Sequence, residues 1–417
     1  MKNICYAQSG GPTAVINESA RAVIETAKQY PSYFGKVYAG LNGISGILQE
    51  QLIDVYAEPQ SHIDGLRYTP SSAFGSCRYK LKDSATHREH YMRLLDVFDA
   101  HNIHYFLYNG GGDSQDTAHK IAQFSQSLGY SLQCIGIPKT VDNDLPLTDC
   151  SPGFASAGKY LATSIREAGL DLQSMAATST QVFILETMGR HTGWLAAASG
   201  IATDVENPEP HIILFPEITF EEDKFLAKIE HCITKNGLCT ISVSEGILGP
   251  NGKHILEKSE IDVFGHIQLG GVGSVIAGLI KQKLGLKSHW AVPDYFQRAA
   301  RHIASKVDLE HAYAVGKAAV EFLLAGKHSV MPTIIRDSSL PYRWHIGEAN
   351  LADIANQEKF LPRDYIDAEG FHITDKCREY LSPLIQGEDA PPFHKGLPQY
   401  VRLNRKLVDN KLAKFSQ

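Results

Sequence analysis

The sequence predicts an α/β protein in which mainly parallel sheets are covered by helices. Short apolar runs alternate with longer helical patterns, and Gly-rich turns follow two of those runs. The chain of 417 residues is also longer than one hydrophobic core usually supports, so two domains are expected. Because open parallel sheets bind ligands at the carboxyl ends of their strands, we expect the functional residues directly after the apolar runs.

The predicted elements alternate along the chain. The expected strands are Ile4–Ala7, Tyr105–Tyr108, Cys134–Ile137, Val182–Leu185, His211–Phe215, Thr240–Val243 and Thr333–Arg336. The expected helices are Asn17–Tyr30, Asp116–Leu128, Gly273–Leu284 and Asp294–Leu324. Beyond about Gly326 the prolines become frequent, which predicts a loop-rich extension around the last of these strands.

The composition is that of an ordinary globular protein with a mild negative charge. Hydrophobic residues make up 43% of the chain, charged residues make up 21%, and the formal net charge is −6. This charge argues against broad binding of nucleic acid, which needs a basic face. It does not exclude small anionic substrates, which a local cluster of Arg, Lys and backbone amides can bind. No run of about 18 apolar residues occurs, so no membrane span is expected.

The seven cysteines indicate a reducing compartment. They are scattered, odd in number and without CxxC spacing, which fits thiols better than a disulfide framework or a zinc site. The N-terminal segment MKNICYAQSGG has no basic region followed by a long apolar run, so it is not expected to be a secretory signal. We therefore predict a cytoplasmic protein.

The first Gly-rich turn is SGGPTAVIN at residues 9–17, after the first predicted strand. Two glycines let the backbone approach an anion, and the following helix directs its amide end to the same place. The alternative interpretation is a plain Gly-Gly-Pro turn. The segment is not a Walker A motif, because the GK[ST] ending is missing.

The second Gly-rich turn is NGGGDSQDT at residues 109–117, again directly after an apolar strand. Its three glycines, including Gly111, together with Asp113 and Ser114, suit a phosphate cradle with a carboxylate able to bind Mg²⁺. Alternatively, Asp113 or Ser114 only caps the following helix.

The third turn, GIPKTVDNDLP at residues 136–146, is the strongest single signal. It places Asp142, Asn143 and Asp144 in a short loop beside Lys139. One carboxylate would be a suitable base for a sugar hydroxyl, and Lys139 would stabilise the charge of a transferred phosphoryl group. A solvated acidic loop is the alternative, but such a loop rarely follows an apolar strand and a Pro-Lys-Thr sequence.

These three turns, in this order, resemble the phosphofructokinase family, and four further segments extend the resemblance. GSCRY at 75–79 is similar to the family's Gly-Ser-Ala-Arg-aromatic turn, and ETMGRHTGWLA at 186–196 contains its Met-Gly-Arg motif. VSEG at 243–246 resembles its strand-end Glu-Gly, and GHIQLGG at 265–271 resembles its His-Ile-Gln-Arg-Gly-Gly motif. The similarity covers roughly residues 1–325, whereas the last 90 or so residues carry no motif that can be transferred.

The resemblance implies two Rossmann-like domains with mainly parallel sheets and an active site in the cleft between them. We assign residues 1–153 and 270–325 to a phosphoryl-donor domain. Residues 154–269 and 326–417 are assigned to a sugar-phosphate domain with the loop-rich extension. Because active sites of the family lie near a subunit interface, we expect a homodimer.

The resemblance also implies roles for individual residues. Gly11 would meet the phosphoryl donor through its backbone amide, beside Gly111 and Ser114. Arg78 would neutralise charge in the transition state, and Asp142 would accept the proton of the sugar 1-hydroxyl. The residues expected to bind the acceptor, fructose 6-phosphate, are Thr140, Val141, Asp142, Met188, Gly189, Arg190, Glu245 and His266.

The expected donor depends on Asp113 and Lys139. Members of the family that use ATP have Gly at both positions, which leaves space for the α-phosphate of a nucleotide. Here a carboxylate would repel that phosphate, and Lys139 would fill the second gap and bond the leaving phosphate. The resemblance therefore implies a pyrophosphate-dependent enzyme that phosphorylates fructose 6-phosphate reversibly with Mg²⁺.

The sequence departs from the family pattern at four positions, one in the second turn and three in the 6-phosphate pocket. Gly112 replaces the customary first metal carboxylate, so Asp113 is expected to bind Mg²⁺ instead. Three arginines common in the 6-phosphate pocket are replaced, and each charge-assisted bond lost would be worth roughly 1.5–3 kcal/mol. The replacing residues are Gln181, Glu260 and Leu269.

We expect Tyr295 and Arg298 to compensate, because residues three apart on a helix share a face. The alternative interpretation is that Tyr295 belongs to the core while Arg301 and His302 lie on the surface.

Four other functions stay open at this point. An ATP-dependent enzyme of the same family is disfavoured by Asp113 and Lys139, and the same chemistry on sedoheptulose 7-phosphate would suit an altered 6-phosphate pocket. A non-catalytic metabolite-binding regulator would not need Asp142 beside a sugar hydroxyl. A dinucleotide oxidoreductase would be expected to show GxGxxG and a ribose-binding acid about 20 residues later, and neither is convincing here.

Overall fold

A computed structural model of the chain describes residues 1–256 and 269–415. Its strands are β1 (Lys2–Gln8), β2 (Phe34–Gly40), β3 (Leu52–Asp54), β4 (Ile103–Gly110), β5 (Gln133–Pro138), β6 (Val182–Thr187), β7 (Ile212–Leu214), β8 (Cys239–Ser244), β9 (Ser288–Ala291), β10 (Val330–Ser339), β11 (Tyr342–Asn350), β12 (Phe393–His394) and β13 (Leu397–Pro398). Its α-helices are α1 (Ile16–Lys28), α2 (Gly43–Leu48), α3 (Gln60–Gly65), α4 (Arg88–Ala100), α5 (Gly112–Ser127), α6 (Phe154–Met175), α7 (Trp194–Ser199), α8 (Glu222–Asn236), α9 (Val272–Leu284), α10 (Tyr295–Ala299), α11 (Lys306–Leu324), α12 (Leu351–Ile354) and α13 (Asp375–Leu381). Short 3₁₀ helices occupy Val55–Ala57, Leu66–Tyr68, Gly200–Ala202, Arg301–Ile303 and Arg363–Tyr365.

The chain forms two compact units. The first comprises Met1–Gly153, Lys306–Glu358 and Glu388–Gln417, and the second comprises Phe154–Ser305 and Lys359–Gly387. Each unit has its own sheet and hydrophobic core. The predicted α/β class with mainly parallel sheets is confirmed.

The first unit is built on a seven-stranded sheet with the order β11-β10-β5-β4-β1-β2-β3. The pairs from β10 to β2 are parallel, and only the edge strands β3 and β11 run antiparallel to their neighbours. Alternate residues of β1 enter opposite cores: Ile4 and Tyr6 pack in one cluster, Cys5 and Ala7 in the other. This period of two is what a strand buried on both faces requires, and it explains the continuous apolar run in the sequence.

The second unit is built on a fully parallel four-stranded sheet with the order β7-β8-β6-β9. Its core joins the inward residues of β6, β7 and β8 to the apolar faces of α8 and α9. Since β8 and β9 flank β6, the turns that follow β6 and β8 leave the sheet side by side. Here too the ligand-binding edge is expected at the carboxyl ends of the strands.

The two units differ from the boundaries expected from the sequence. Residues 270–305 belong to the second unit rather than the first, because β9 pairs in parallel with β6. Residues 326–358 belong to the first unit, because β10 pairs with β5 and with β11. Residues 388–415 of the extension also pack on the first unit.

The single helix expected at Asp294–Leu324 is wrong. The segment contains α10, a 3₁₀ turn at Arg301–Ile303 and α11, because Ala300 and Ala304 leave helical geometry with ψ values of 66° and 146°. No Gly or Pro marks either break, so local sequence does not signal them. Within the described residues, no helix combines the length and apolar character needed to cross a membrane.

Candidate active site

The three predicted turns of the first unit meet at one edge of its sheet. They follow β1, β4 and β5, which are adjacent strands in the order β5-β4-β1. Direct backbone bonds join them: Ser9 N donates to Asn109 O at 2.9 Å, and Lys139 N donates to Gly110 O at 3.2 Å. Three segments distant in sequence therefore form one continuous polar surface.

The first turn is also fastened to the segment that carries Arg78. Gly10 has φ +72°, in the left-handed region where glycine is unstrained, and its N–H donates to Cys77 O at 3.1 Å. The Ser76 hydroxyl donates to Gly10 O at 2.7 Å. Arg78, which is expected to contact the transferred group, therefore directly follows two residues that are hydrogen-bonded to the donor turn.

Lys139 lies across the first turn. Its side-chain Nζ donates to Gly11 O at 2.8 Å, and only 3% of the residue is exposed. A Cβ at Gly10 would lie 3.4 Å from the same Nζ, so the ammonium rests directly over the glycine pair. A buried ammonium beside backbone amides is a strong electrostatic partner for a phosphate group.

The second turn places Asp113 in the first turn of α5. Gly111 is the residue before the helix, and a Cβ at Gly110 would lie 2.1 Å from the Ser114 hydroxyl, so a side chain there would displace Ser114. Asp113 is half-buried and its carboxylate is 3.6 Å from Lys80 Nζ. The amide end of α5 therefore presents N–H groups, the Ser114 hydroxyl and one carboxylate together.

The third turn folds tightly around Asn143, which has φ +53° and no exposed surface. The Asn143 Oδ1 accepts from Ser151 N at 3.0 Å, and the Thr140 hydroxyl accepts from Asp142 N at 3.1 Å. Val141 is 8% exposed. These bonds orient Asp142 and Asp144 on either side of the buried asparagine.

Asp144 is electrostatically unusual. Burial, reinforced by the neighbouring Asp142 carboxylate, raises the pKa of Asp144 to about 7. Its Oδ1 is buried and has no hydrogen-bond partner. Two carboxylates that cannot both ionise easily are a common arrangement at catalytic sites, and the sequence indicated the pair without its proton affinity.

The residues of this edge fit a divalent cation. In the described ranges, no group of three or more His, Cys, Asp or Glu forms a complete protein cage. Mg²⁺ usually needs only one or two carboxylates, with substrate phosphates and waters as the other ligands. The half-buried Asp113 carboxylate is an oxygen donor of that kind.

In the second unit, the turns after β6 and β8 pack on each other. Gly189 has φ +132°, and its carbonyl accepts from the Ser244 hydroxyl at 2.6 Å. Glu245 N donates to Thr187 O at 3.0 Å. A Cβ at Gly246 would lie 2.0 Å from the Arg190 carbonyl, so this close approach requires glycine. Met188, Gly189, Arg190 and Glu245 are therefore neighbours.

The short helix α10 joins this group through a residue that the sequence analysis missed. The buried Gln297 side chain accepts from Met188 N at 3.1 Å. On the same helix the Arg298 guanidinium stacks 4.1 Å from the centre of the Tyr295 ring, and Tyr295 is 62% exposed. Tyr295 and Arg298 share an accessible face beside the Met188 turn, and the alternative that Tyr295 is core is wrong.

Three other residues named for the 6-phosphate pocket are located by the structure, and one expectation changes. Gln181 lies just before the start of β6, at the opposite end of that strand from Met188, and Leu269 is 8% exposed. Arg301, placed on the surface in the alternative interpretation, is fully buried. His266 and Glu260 lie outside the described residues.

The buried Glu186 accepts from Gly271 N and Gly273 N at 2.7 and 2.8 Å, which caps α9.

Comparison with known proteins agrees with this geometry. The family model described as phosphofructokinase matches residues 3–323. The chain is 58% identical over 412 residues to the pyrophosphate–fructose 6-phosphate 1-phosphotransferase of Methylococcus capsulatus, covering 99% of this chain and 98% of that protein. It is 56% identical over 413 residues to the enzyme of the same name from Halomonas elongata, covering 99% of both.

A solved structure is similar over the whole length. The pyrophosphate-dependent phosphofructokinase from Nitrosospira multiformis is 56% identical, and the match covers 100% of both chains with a TM-score of 0.93. The shared fold, the length of the match and the turns that meet at the edge of each sheet lead to one assignment. The chain belongs to the phosphofructokinase family.

Proposed function

We propose that the protein transfers a phosphoryl group from pyrophosphate to the 1-hydroxyl of fructose 6-phosphate. The products are fructose 1,6-bisphosphate and phosphate, and the reaction runs in both directions. The observation that carries the proposal is the position of Lys139, whose ammonium donates to Gly11 O at 2.8 Å above the donor turn. The names of the relatives from Methylococcus capsulatus and Halomonas elongata support the same donor and acceptor.

Lys139 and Asp113 together favour a small donor. The Lys139 ammonium fills the space above Gly10 and Gly11, where it can bond a terminal phosphate and offset its charge. The half-buried Asp113 carboxylate at the start of α5 would repel a further phosphate of a nucleotide chain. Gly11, Gly111 and Ser114 would then bind pyrophosphate through backbone amides and a hydroxyl.

The acceptor side is proposed in the second unit. Met188, Gly189 and Arg190 would cradle the sugar phosphate, and Glu245 would accept hydrogen bonds from sugar hydroxyls. Tyr295 and Arg298 would bind the 6-phosphate through the phenol and the guanidinium, which are stacked on an exposed face. His266 keeps its predicted role near the 6-phosphate.

In the chemical step Asp142 takes the proton from the sugar 1-hydroxyl while that oxygen attacks the terminal phosphorus of pyrophosphate. The bond from this phosphorus to the bridging oxygen breaks, and phosphate leaves. Arg78 and Lys139 stabilise the negative charge of the migrating group, and Thr140 and Val141 contribute to substrate binding beside Asp142. A proton held by Asp144 near neutral pH leaves Asp142 as the ionised base of the pair.

Mg²⁺ is part of the proposal. Asp113 would hold it together with phosphate oxygens of the donor. When bound, the ion neutralises phosphate charge and orients the donor.

The cell compartment and the assembly are also proposed. All seven cysteines lie in the described part of the chain and none is disulfide-bonded, which supports the cytoplasm. In the second unit the edge strand β9 and the residues after it expose Trp290 (48%), Val292 (44%) and Phe296 (73%). An apolar patch of this kind supports a homodimer, which light scattering on the purified protein would test.

Steady-state kinetics of the purified protein test the function. With fructose 6-phosphate and Mg²⁺, we expect turnover with pyrophosphate and less than about one hundredth of that kcat/KM with ATP, a difference of nearly 3 kcal/mol. The reverse assay, with fructose 1,6-bisphosphate and phosphate, should also give turnover. Brisk turnover with ATP and none with pyrophosphate would reject the proposal, and a preference for sedoheptulose 7-phosphate would change the acceptor.

A further inference from the structure

Residues 388–415 form a strap along the edge of the first unit, and we infer that this C-terminal strap holds Arg78 in position through Phe415, His90 and Tyr79. The strap lies beyond residues 3–323, where the family model matches. The inference rests on the proposed function, because it assigns the strap a purpose through the role proposed for Arg78.

The middle of the strap is bound by a buried carboxylate and by the sheet edge. The Glu58 carboxylate accepts from Asn404 N at 3.0 Å and from Arg405 N at 2.7 Å. Next, Asp54 N donates to Lys406 O and Val408 N donates to Leu52 O, both at 2.9 Å, which adds the strap to edge strand β3. The strap therefore covers an edge that would otherwise expose unpaired backbone groups.

The last part of the strap is fixed by a second carboxylate, Glu50, which has no exposed surface. It accepts from Lys411 N at 2.6 Å, from Leu412 N at 3.1 Å and from His101 at 2.7 Å. Burial raises the pKa of Glu50, but these bonds outweigh burial and the pKa is lowered. An ionised acid that receives three hydrogen bonds fixes the register of the strap at Lys411 and Leu412, a few residues before Phe415.

Phe415 then reaches helix α4. The Gln49 side chain donates to Phe415 O at 3.3 Å, which fixes the backbone. The Phe415 ring meets the His90 ring edge to face, with centres 5.4 Å apart, and the Arg93 guanidinium lies 5.6 Å from the ring centre. The ring therefore packs between two side chains of α4 rather than in solvent.

His90 carries the contact to the segment of Arg78. Its ring stacks on Tyr79 with centres 6.0 Å apart, and its Nδ1 is hydrogen-bonded to the Tyr79 hydroxyl. On the other side of Arg78, Cys77 O accepts from Gly10 N. Arg78 thus stands between two anchors, the donor turn before it and the His90–Phe415 pair after it. Removing Phe415 loosens the second anchor, because His90 loses the ring that packs against it, and leaves the first anchor intact.

The geometry makes Phe415 a positioning residue for phosphoryl transfer. A displacement of a catalytic group by about 1 Å can lower the rate by about 100-fold. Because one anchor survives, we expect Phe415→Ala to lower kcat by about 10-fold while the KM for fructose 6-phosphate stays within about twofold. Phe415→Tyr keeps the ring and should restore the rate. Phe393→Ala, a control in the same strap at a side chain 57% exposed, should behave like wild type.

Two measurements separate positioning from general damage. Amide hydrogen exchange of residues 77–82 should be faster in Phe415→Ala and unchanged in Phe393→Ala. This measurement does not depend on enzymatic activity. In an Arg78→Lys background, Phe415→Ala should lower kcat by a much smaller factor than in wild type, because both substitutions act on the same group.

The inference is overturned if Phe415→Ala leaves kcat unchanged, if it lowers kcat by the same factor in both backgrounds, or if exchange at 77–82 does not respond. Failure of the wild type to use pyrophosphate would instead reject the proposed function. In that case the exchange result still decides whether the strap holds the Arg78 segment.

Discussion

The Lys139 ammonium donates a hydrogen bond to the Gly11 carbonyl, 2.8 Å away, and so joins the end of β5 to the turn after β1 across the intervening β4. The bond places a buried positive charge over the backbone that would bind the donor phosphates. It also occupies the volume above Gly10, since a Cβ there would already lie 3.4 Å from Nζ. The choice of donor should therefore depend on this side chain and on Asp113.

Replacing both residues by glycine should change the donor. We expect the double variant Asp113→Gly with Lys139→Gly to lose at least about 10-fold in kcat/KM for pyrophosphate, because a charge-assisted hydrogen bond is removed. It should gain measurable turnover with ATP, because the repelling carboxylate and the obstructing ammonium are both gone. Initial rates with each donor, and a thermal melt to confirm folding, would check this. A variant that loses pyrophosphate turnover without gaining ATP turnover would contradict the steric argument.

Removing the proposed base should affect the rate rather than binding. General-base catalysis typically contributes about 10²–10⁴-fold, so Asp142→Ser should lower kcat by that factor with little change in the KM for fructose 6-phosphate. Asp96→Ser, on an exposed position of α4, is the matched control and should keep the wild-type rate. Equal losses in the two variants, or a kcat above one tenth of wild type for Asp142→Ser, would remove Asp142 from the proposed role.

Asp144 should make the protein less stable as the pH rises. Its pKa is raised from 3.8 to about 7, so the folded protein keeps the acid protonated while the unfolded chain ionises it. The contribution of neutral Asp144 to the free energy of unfolding is fully present below pH 4. It is lost as the pH rises through 7. In metal-free buffer, Asp144→Asn should therefore gain in Tm over wild type between pH 4 and pH 7, with a constant gain above that. A Tm difference that does not vary with pH would contradict the raised pKa.

Arg298 should determine affinity for the sugar phosphate and not for the donor. A charge-assisted hydrogen bond is worth about 1.5–3 kcal/mol, so Arg298→Met should raise the KM for fructose 6-phosphate by about 10- to 150-fold. The KM for pyrophosphate should stay within about twofold of wild type. Lys281→Met, an exposed residue on α9, controls for the loss of one positive charge. If free fructose replaces fructose 6-phosphate as acceptor, the difference between Arg298→Met and wild type should disappear.

The site turns were predictable because their chemistry is local. Each contains glycine in or directly after an apolar strand, and the second and third also contain carboxylates, so the pattern needs no knowledge of distant residues. The contact between Lys139 and Gly11 was not predicted, because it depends on the strand order β5-β4-β1. A sequence alone does not state which strands are neighbours.

Other features could not be predicted because tertiary contacts decide them. The end of α10 and the start of α11 carry no Gly or Pro, and Gln297 looks like an ordinary polar residue until its bond to Met188 N is seen. The strap has no motif, since its backbone is held by hydrogen bonds to Glu50, Glu58 and the edge of β3. Such bonds leave no signature in residue type.

The place of β10 in the first sheet has a consequence for the order of events on the ribosome. Val330 and Ile334, with Val315 and Val320 of α11, complete the core that Ile4 and Tyr6 begin. These residues are translated only after the whole of 154–305, which forms most of the second unit. One apolar face of the amino-terminal 153 residues therefore stays uncovered until α11 and β10 have been translated. Chaperone dependence of nascent chains should accordingly be greatest before residue 339 leaves the exit tunnel.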